Sequence, residues 1–450
     1  MYKKILLTVL AVVVLAGCGA GYEDDVVEDM VDYAPDDTLN LNYALAHAHN
    51  RRQVINRPTN AYVAEFSAGY RRGREVDLTD LLRPGPRRTT LTRAEAVEDA
   101  YFLFNLLRDV YGGYYYFGGD GVFRPLLDQV VEEILDTDIL TPNIFEGILR
   151  RHLRTVIQDN HFIFGREALG IHTPMLSSAV YFDRAEDAGD GLDLQLALLE
   201  DGRFVYKVVM PGADDVLEKE FAGIPLAVHR PVDSLSRAPE LAIHDGVPVV
   251  NLRMMVSPLS AEGQTFLSFV DDIADAPVII LDLRNNGGGS HLVGTMWINR
   301  LLGYSVMPTF NFVGRGSHVI WGWDLEHFGE DEGDYLLHYL EHFATENIVS
   351  DPLIIVLTNR RIYSSGEWFV SQFFNIENTL IVGQNTAGAL ITDLAAPVIF
   401  LPHSGVHLHF GYNQYVYPPG HFAEGVGFTP DVWVNGCALT AVLNMLQKLP

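Results

Sequence analysis

The sequence predicts an α/β protein: a mostly parallel sheet with helices, preceded by a helical bundle and a small β-rich module. Three observations carry this. Short apolar, β-branched runs at 247–252, 277–283, 353–357 and 379–382 read as strands buried on both faces. Helical patterns alternate with them, at 261–274, 292–302 and after Ser365, as a parallel sheet requires. Ahead of them, 92–157 holds three segments of helical periodicity joined by short links, the pattern of a small bundle.

The chain has 450 residues, enough for two or three domains, and is 48% hydrophobic and 20% charged, a globular composition. Its formal charge of −27 argues against a nucleic-acid partner, which needs a basic footprint, and against broad docking on anionic lipid.

At the N-terminus, Met1-Tyr2-Lys3-Lys4 is a short basic region and residues 5–15 are apolar. That run is too short to cross a bilayer and reads as a signal peptide. Leu15-Ala16-Gly17-Cys18 resembles a bacterial lipobox. The resemblance implies that residues 1–18 are a lipoprotein signal, that Cys18 carries lipid, and that the protein is anchored in the cell envelope, facing periplasm or exterior. A plain signal peptide with a chance cysteine is the alternative. With Cys18 acylated, Cys437 is the remaining thiol and no internal disulfide can form.

Residues 19–40 are acidic and poor in apolar side chains, a tether. Residues 41–161 form the N-terminal helical domain. Thr92 to Glu95 reads as a capping box, with Ala96, Tyr101, Phe104, Leu107 and Val110 on a helical stripe up to Gly112-Gly113. A second helix fits 122–135, and a third fits 141–157 with Pro142 in its first turn. Tyr114, Tyr115, Tyr116 and Phe117 read as packing aromatics. The third helix runs out at Asp159-Asn160-His161 before Phe162-Ile163-Phe164, so His161 sits at a helix-to-strand corner. A structural histidine and a catalytic one both fit that place.

Residues 165–243 read as a β-rich module with strands at 180–182, 194–198, 204–209 and 225–229. Residues 245–450 form the core domain. The strand at 277–283 leads into Arg284-Asn285-Asn286-Gly287-Gly288-Gly289-Ser290. Glycines after a strand let backbone N–H groups approach a ligand. No Gly-Lys-Ser/Thr or Gly-x-Gly-x-x-Gly follows, so a nucleotide site is disfavoured and an oxyanion donor or a tight turn remains. A helix is predicted at 334–342 within an insertion, strands at 397–401 and 406–412, and a last helix at 438–447. His403, His407 and His409 cluster there without a carboxylate at ligand spacing, and read as surface histidines rather than a metal site.

The strand at 353–357 ends in Thr358-Asn359-Arg360-Arg361, and Tyr363-Ser364-Ser365-Gly366-Glu367 opens a helix. This corner exposes a serine hydroxyl beside unpaired helix N-terminal donors, which suits a nucleophile. Ser364 with Glu367 is also a capping box, and the local pattern by itself favours the cap.

Three blocks together resemble the C-terminal processing, or tail-specific, serine peptidases. They are Leu281 to Gly289, Ser364-Ser365-Gly366-Glu367 followed by 382–388, and Glu424 to Asp431. The likeness covers about 247–434 and extends to His161. It implies a crotonase and Clp-protease type of core and peptide-bond hydrolysis on peptide or protein substrates, without metal or cofactor. Tail-specific members use a Ser–Lys pair; the lysine position here is Ala389, and no Lys lies between Lys219 and Lys448. The tricorn-like branch instead takes a histidine from the end of the helical region, matched by His161, and a late glutamate, matched by Glu424. The resemblance therefore implies Ser364 as nucleophile, His161 as base and Glu424 orienting it through Asn160 or a water. It implies Gly287 or Gly288 with Ser365 as oxyanion donors, and Glu367 as a helix cap. Residues 165–243 occupy the place of a PDZ-like module but lack a carboxylate-binding loop. The rival reading is an inactive surface lipoprotein that binds peptides or lipophilic ligands in the same cleft.

Overall fold

The computed structural model describes residues 76–170, 238–314 and 348–447 apart from short breaks, parts of 41–49, the strands between 193 and 221, and 319–320. The signal and tether, the 334–342 helix and the strands at 180–182 and 225–229 lie outside the described residues.

Three helices form the N-terminal bundle: α1 (Arg93–Val110), α2 (Asp120–Asp136) and α3 (Pro142–Leu153). Thr92 caps α1 in the box the sequence predicts, with Thr92 Oγ1 accepting Glu95 N–H and the Glu95 carboxylate accepting Thr92 N–H. Helix α3 stops at Leu153, short of the expected 157, because 154–157 tighten into turns. Two short strands follow, β1 (Ile163–Phe164) and β2 (Glu167–Ala168). Strands β3 (Asp193–Leu198), β4 (Phe204–Val209) and β5 (Val216–Phe221) form an antiparallel sheet of their own.

The core domain then runs β6 (Glu240–His244), β7 (Val247–Asn251), α4 (Ala261–Ile273), β8 (Val278–Asp282) and α5 (His291–Leu302). It continues with β9 (Ile348–Thr358), α6 (Ser365–Phe373) and β10 (Ile376–Gly383). Last come β11 (Ile399–Phe400), β12 (His407–His409), β13 (Val432–Trp433) and α7 (Ala438–Gln447). One six-stranded sheet has the order β13-β10-β9-β8-β7-β6, parallel throughout except for the β6–β7 hairpin at its edge.

Strand alternation divides the core. Ile279, Leu281, Ile354 and Val356 face α4, α5 and α6, packing with Phe266, Trp297, Phe369 and Phe373. Ile280, Ile355, Leu357 and Leu380 face the other way, against Val442 and Met445 of α7 and Leu41, Ala44 and Ala48 from the N-terminal segment. Both faces are covered, which is why these strands are apolar runs rather than alternating ones.

The helical domain does not close on itself. Ile399, Leu401, Leu408 and Phe410 pack in the same core as α1, α2 and α3. The sequence assigns 399–410 to the core domain; its apolar side chains lie in the helical one. Strand β12 pairs with β1, Leu408 opposite Phe164 and His409 opposite Ile163. At the same seam Gly112 N–H donates to Gly411 O, and a Cβ on Gly112 would meet the backbone of Asn413 at 2.8 Å. This seam fixes His161 relative to the sheet.

Candidate active site

The glycine run leaves β8 at Asp282. This buried carboxylate accepts bidentate bonds from Arg253 and from Arg284, at 2.7–3.1 Å. Burial opposes its charge, but the two guanidinium groups outweigh that and hold its pKa well below the usual carboxylate range. The paired charges anchor the base of the loop. Asn286 then folds it: its Nδ2 donates to Leu252 O, its Oδ1 accepts Gly288 N–H at 3.0 Å, and its carbonyl accepts Tyr363 N–H. Gly288 (φ 85°) lies against the serine corner, where an added Cβ would meet Tyr363 O at 2.9 Å and Ser364 Cβ at 3.0 Å.

Ser364 has φ 53° and ψ −120°. The ordinary caps Thr92, Thr141 and Ser260 all sit at extended backbone angles. A non-glycine residue at positive φ is strained, and such strain gathers at functional corners. Ser365 differs: its Oγ donates to Gly289 O at 2.6 Å. Glu367 is more than the cap the sequence suggests. Its buried carboxylate accepts from Ser364 N, Thr386 Oγ1, Gly388 N and Ala389 N. Burial pushes its pKa up to about 7 against the pull of those donors.

His161 is buried, and its Nδ1 lies 2.7 Å from Thr392 O. A carbonyl only accepts, so Nδ1 carries the proton and Nε2 is left as a lone-pair acceptor. Burial lowers the imidazole pKa, and Asp159 and the Thr392 carbonyl only partly restore it. Glu424 accepts Asn160 N–H at 2.8 Å and the amides of Leu390 and Ile391. Burial, then the Asp159 charge, push its carboxyl well above the usual range.

The segment 386–392 therefore joins the two halves. Ser364 N and Gly388 N share the Glu367 carboxylate, and Asn160 Nδ2 donates to Gly388 O at 2.9 Å. Among the described residues no hydrogen bond joins the Ser364 hydroxyl to the His161 ring. The lysine position, Ala389, is buried and ties its amide to Glu367.

One assignment is corrected. Gly287 N–H donates to Arg253 O and Gly288 N–H to Asn286 Oδ1, so both expected donors are spent inside the loop. Gly289 N–H and Ser365 N–H have no acceptor among the described residues. Asp159 and Thr392 as neighbours of His161, and Tyr111 as the partner of Asp159, were missed. Only the Asp159-Asn160-His161 run hinted at the first; nothing local marks the other two. His407 and His409 lie half-buried on β12, and no cluster of three metal-ligating side chains exists among the described residues.

A strained serine corner lies against a glycine loop on a mostly parallel α/β core, an arrangement that suits a serine peptidase. Residues 247–434 match the model of peptidase family S41. No curated protein matches the chain. Among solved structures, mature CPAF is 14% identical over 79% of this chain and 97% of its own, with a TM-score of 0.44. The photosystem II D1 C-terminal processing protease is 16% identical over 77% and 96%, with a TM-score of 0.38. A lipoprotein from Streptococcus agalactiae is 16% identical over 81% and 97%, with a TM-score of 0.40. These likenesses are too remote to carry function across.

Proposed function

We propose that the protein cleaves peptide bonds through an acyl-enzyme formed on Ser364, with His161 as the base. The observation that carries this reading is the positive φ of Ser364 beside Gly288, a conformation that helix capping does not require. His161 Nε2 takes the Ser364 proton as Oγ attacks the carbonyl carbon, then gives it to the leaving amine; a water repeats the cycle and releases the acid. Ser365 N–H and Gly289 N–H receive the oxyanion, each donor worth on the order of 3 kcal/mol in the transition state. Glu424 supports the base from behind, through the Asn160 amide. With Ala389 in place of a lysine, no Ser–Lys route is open from this motif.

The lipobox puts this activity at the cell envelope, tethered through Cys18. No helix among the described residues is long and apolar enough to cross a membrane. The test is intact-mass analysis after a fluorophosphonate probe. One adduct on Ser364, absent in Ser364→Ala and in His161→Ala, is the expected result. An unlabelled wild-type protein that still binds peptides would sink the peptidase reading and favour the inactive binder.

A further inference from the structure

We infer that Asp159, held by Tyr111 and Thr392, is the positioning residue that sets the tautomer and orientation of His161. The inference rests on the reading of His161 as base. Asp159 is fully buried, and each oxygen is used. Its Oδ1 accepts His161 N–H at 2.8 Å. Its Oδ2 accepts Tyr111 Oη–H at 2.7 Å and Thr392 Oγ1–H at 2.8 Å. Thr392 returns to the same histidine, since its carbonyl accepts His161 Nδ1–H at 2.7 Å. One carboxylate thus grips the base twice, through its own backbone and through the residue that receives its ring proton.

The three residues come from three parts of the chain. Tyr111 ends α1 in the helical domain, with its ring edge-on to Phe162 and Phe410 at 5.0 and 5.6 Å. Thr392 belongs to the core segment that Glu367 and Glu424 hold. Asp159 joins both to the corner between them. Cutting either outer bond leaves a buried oxygen short of a partner and frees the ring to turn.

The charged or titratable groups around His161 are Asp159 on its own turn, Glu424 behind the Asn160 amide, Asp393 next to Thr392, and the Tyr111 phenol. Of these, Asp159 supplies the charge that raises the imidazole pKa against burial. Glu424 touches the turn only through an amide.

Asp159→Asn separates charge from shape. Its Oδ1 still accepts His161 N–H, and its Nδ2 faces two hydroxyls that can rotate to accept. The acidic limb of kcat/KM should move to lower pH, because the neighbouring negative charge is gone. Thr392→Val keeps the carbonyl but removes its anchor, and kcat should fall roughly tenfold or more with KM unchanged. Thr392→Ser should restore most of the loss. Tyr111→Phe should lower kcat by about threefold or more, again without a change in KM.

The inference is overturned if Asp159→Asn keeps the wild-type acidic limb, or if Thr392→Val keeps wild-type kcat. His161→Ala is run beside them. If it stays active, the base assignment fails; if it is dead while the Asp159 and Thr392 variants behave as wild type, only the positioning role fails. Melting temperatures read alongside separate lost folding from lost positioning.

Discussion

Glu424 meets the Asp159-Asn160-His161 corner through the Asn160 amide, at 2.8 Å, and not through the His161 imidazole. The same carboxylate takes the amides of Leu390 and Ile391, so it clamps two backbone segments that converge on His161. Glu367 does the same at the serine corner, with Ser364 on one side and Gly388 and Ala389 on the other. Two buried carboxylates thus hold the segment between serine and histidine.

The strain at Ser364 gives a stability signature. Ser364→Ala should abolish turnover and leave stability nearly unchanged. Ser364→Gly should also be inactive yet about 1 kcal/mol more stable, since glycine accepts φ 53° without cost. Denaturant unfolding of the pair checks this. Ser365→Ala keeps its backbone donor and loses only the bond to Gly289 O, so its rate should stay within about tenfold of wild type. A dead Ser365→Ala with an active Ser364→Ala would move the nucleophile by one residue.

Burial sets the direction in which the His161 imidazole titrates. Burial favours neutral imidazole in the folded state, so the acidic limb of kcat/KM should lie below the free histidine value of roughly 6.5. The sign for stability follows: a depressed folded pKa gives stability that is present above the unfolded value and lost as pH falls through the folded one. Removing His161 should therefore flatten the stability profile on the acid side. Its cost in kcat/KM should nearly equal that of Ser364→Ala, and the double variant should add little. An acidic limb above the free histidine value contradicts this.

The glycine loop depends on a buried charge. Asp282→Ala would leave the Arg253 and Arg284 guanidinium groups buried without their carboxylate. Such a loss costs about 3–5 kcal/mol. Urea unfolding should report that drop, with activity lost in the fraction that still folds. A variant within about 1 kcal/mol of wild type would mean that water reaches the site and replaces the carboxylate.

The anchor is tested by fractionation. Cys18→Ser should release the protein from membranes and leave probe labelling of the solubilised enzyme intact. Unchanged membrane association would remove the lipobox reading.

Much of this molecule was legible in the sequence because the signals were local. Strand interiors Ile279 to Leu281 and Ile354 to Leu357 had to be apolar runs, since both sheet faces are covered. The Thr92 and Thr141 caps, Pro142 and the glycine loop follow from backbone needs that a few adjacent residues satisfy. Ser364 was visible as a strand-to-helix corner, but a cap and an elbow share the same letters. What separates them is a positive φ, which only the surrounding loop can impose. His161 was found by its corner, whereas its partners were not: Tyr111 and Thr392 are 50 residues upstream and 231 downstream. They meet because β1 pairs with β12 across more than two hundred residues. The donor assignment in Gly287, Gly288 and Gly289 was likewise closed to the sequence. Three identical residues in a row carry no mark of which amide Asn286 and Arg253 will use up. Local propensity wrote the elements; long-range pairing and buried hydrogen bonding decided which atoms face one another between the serine corner and His161.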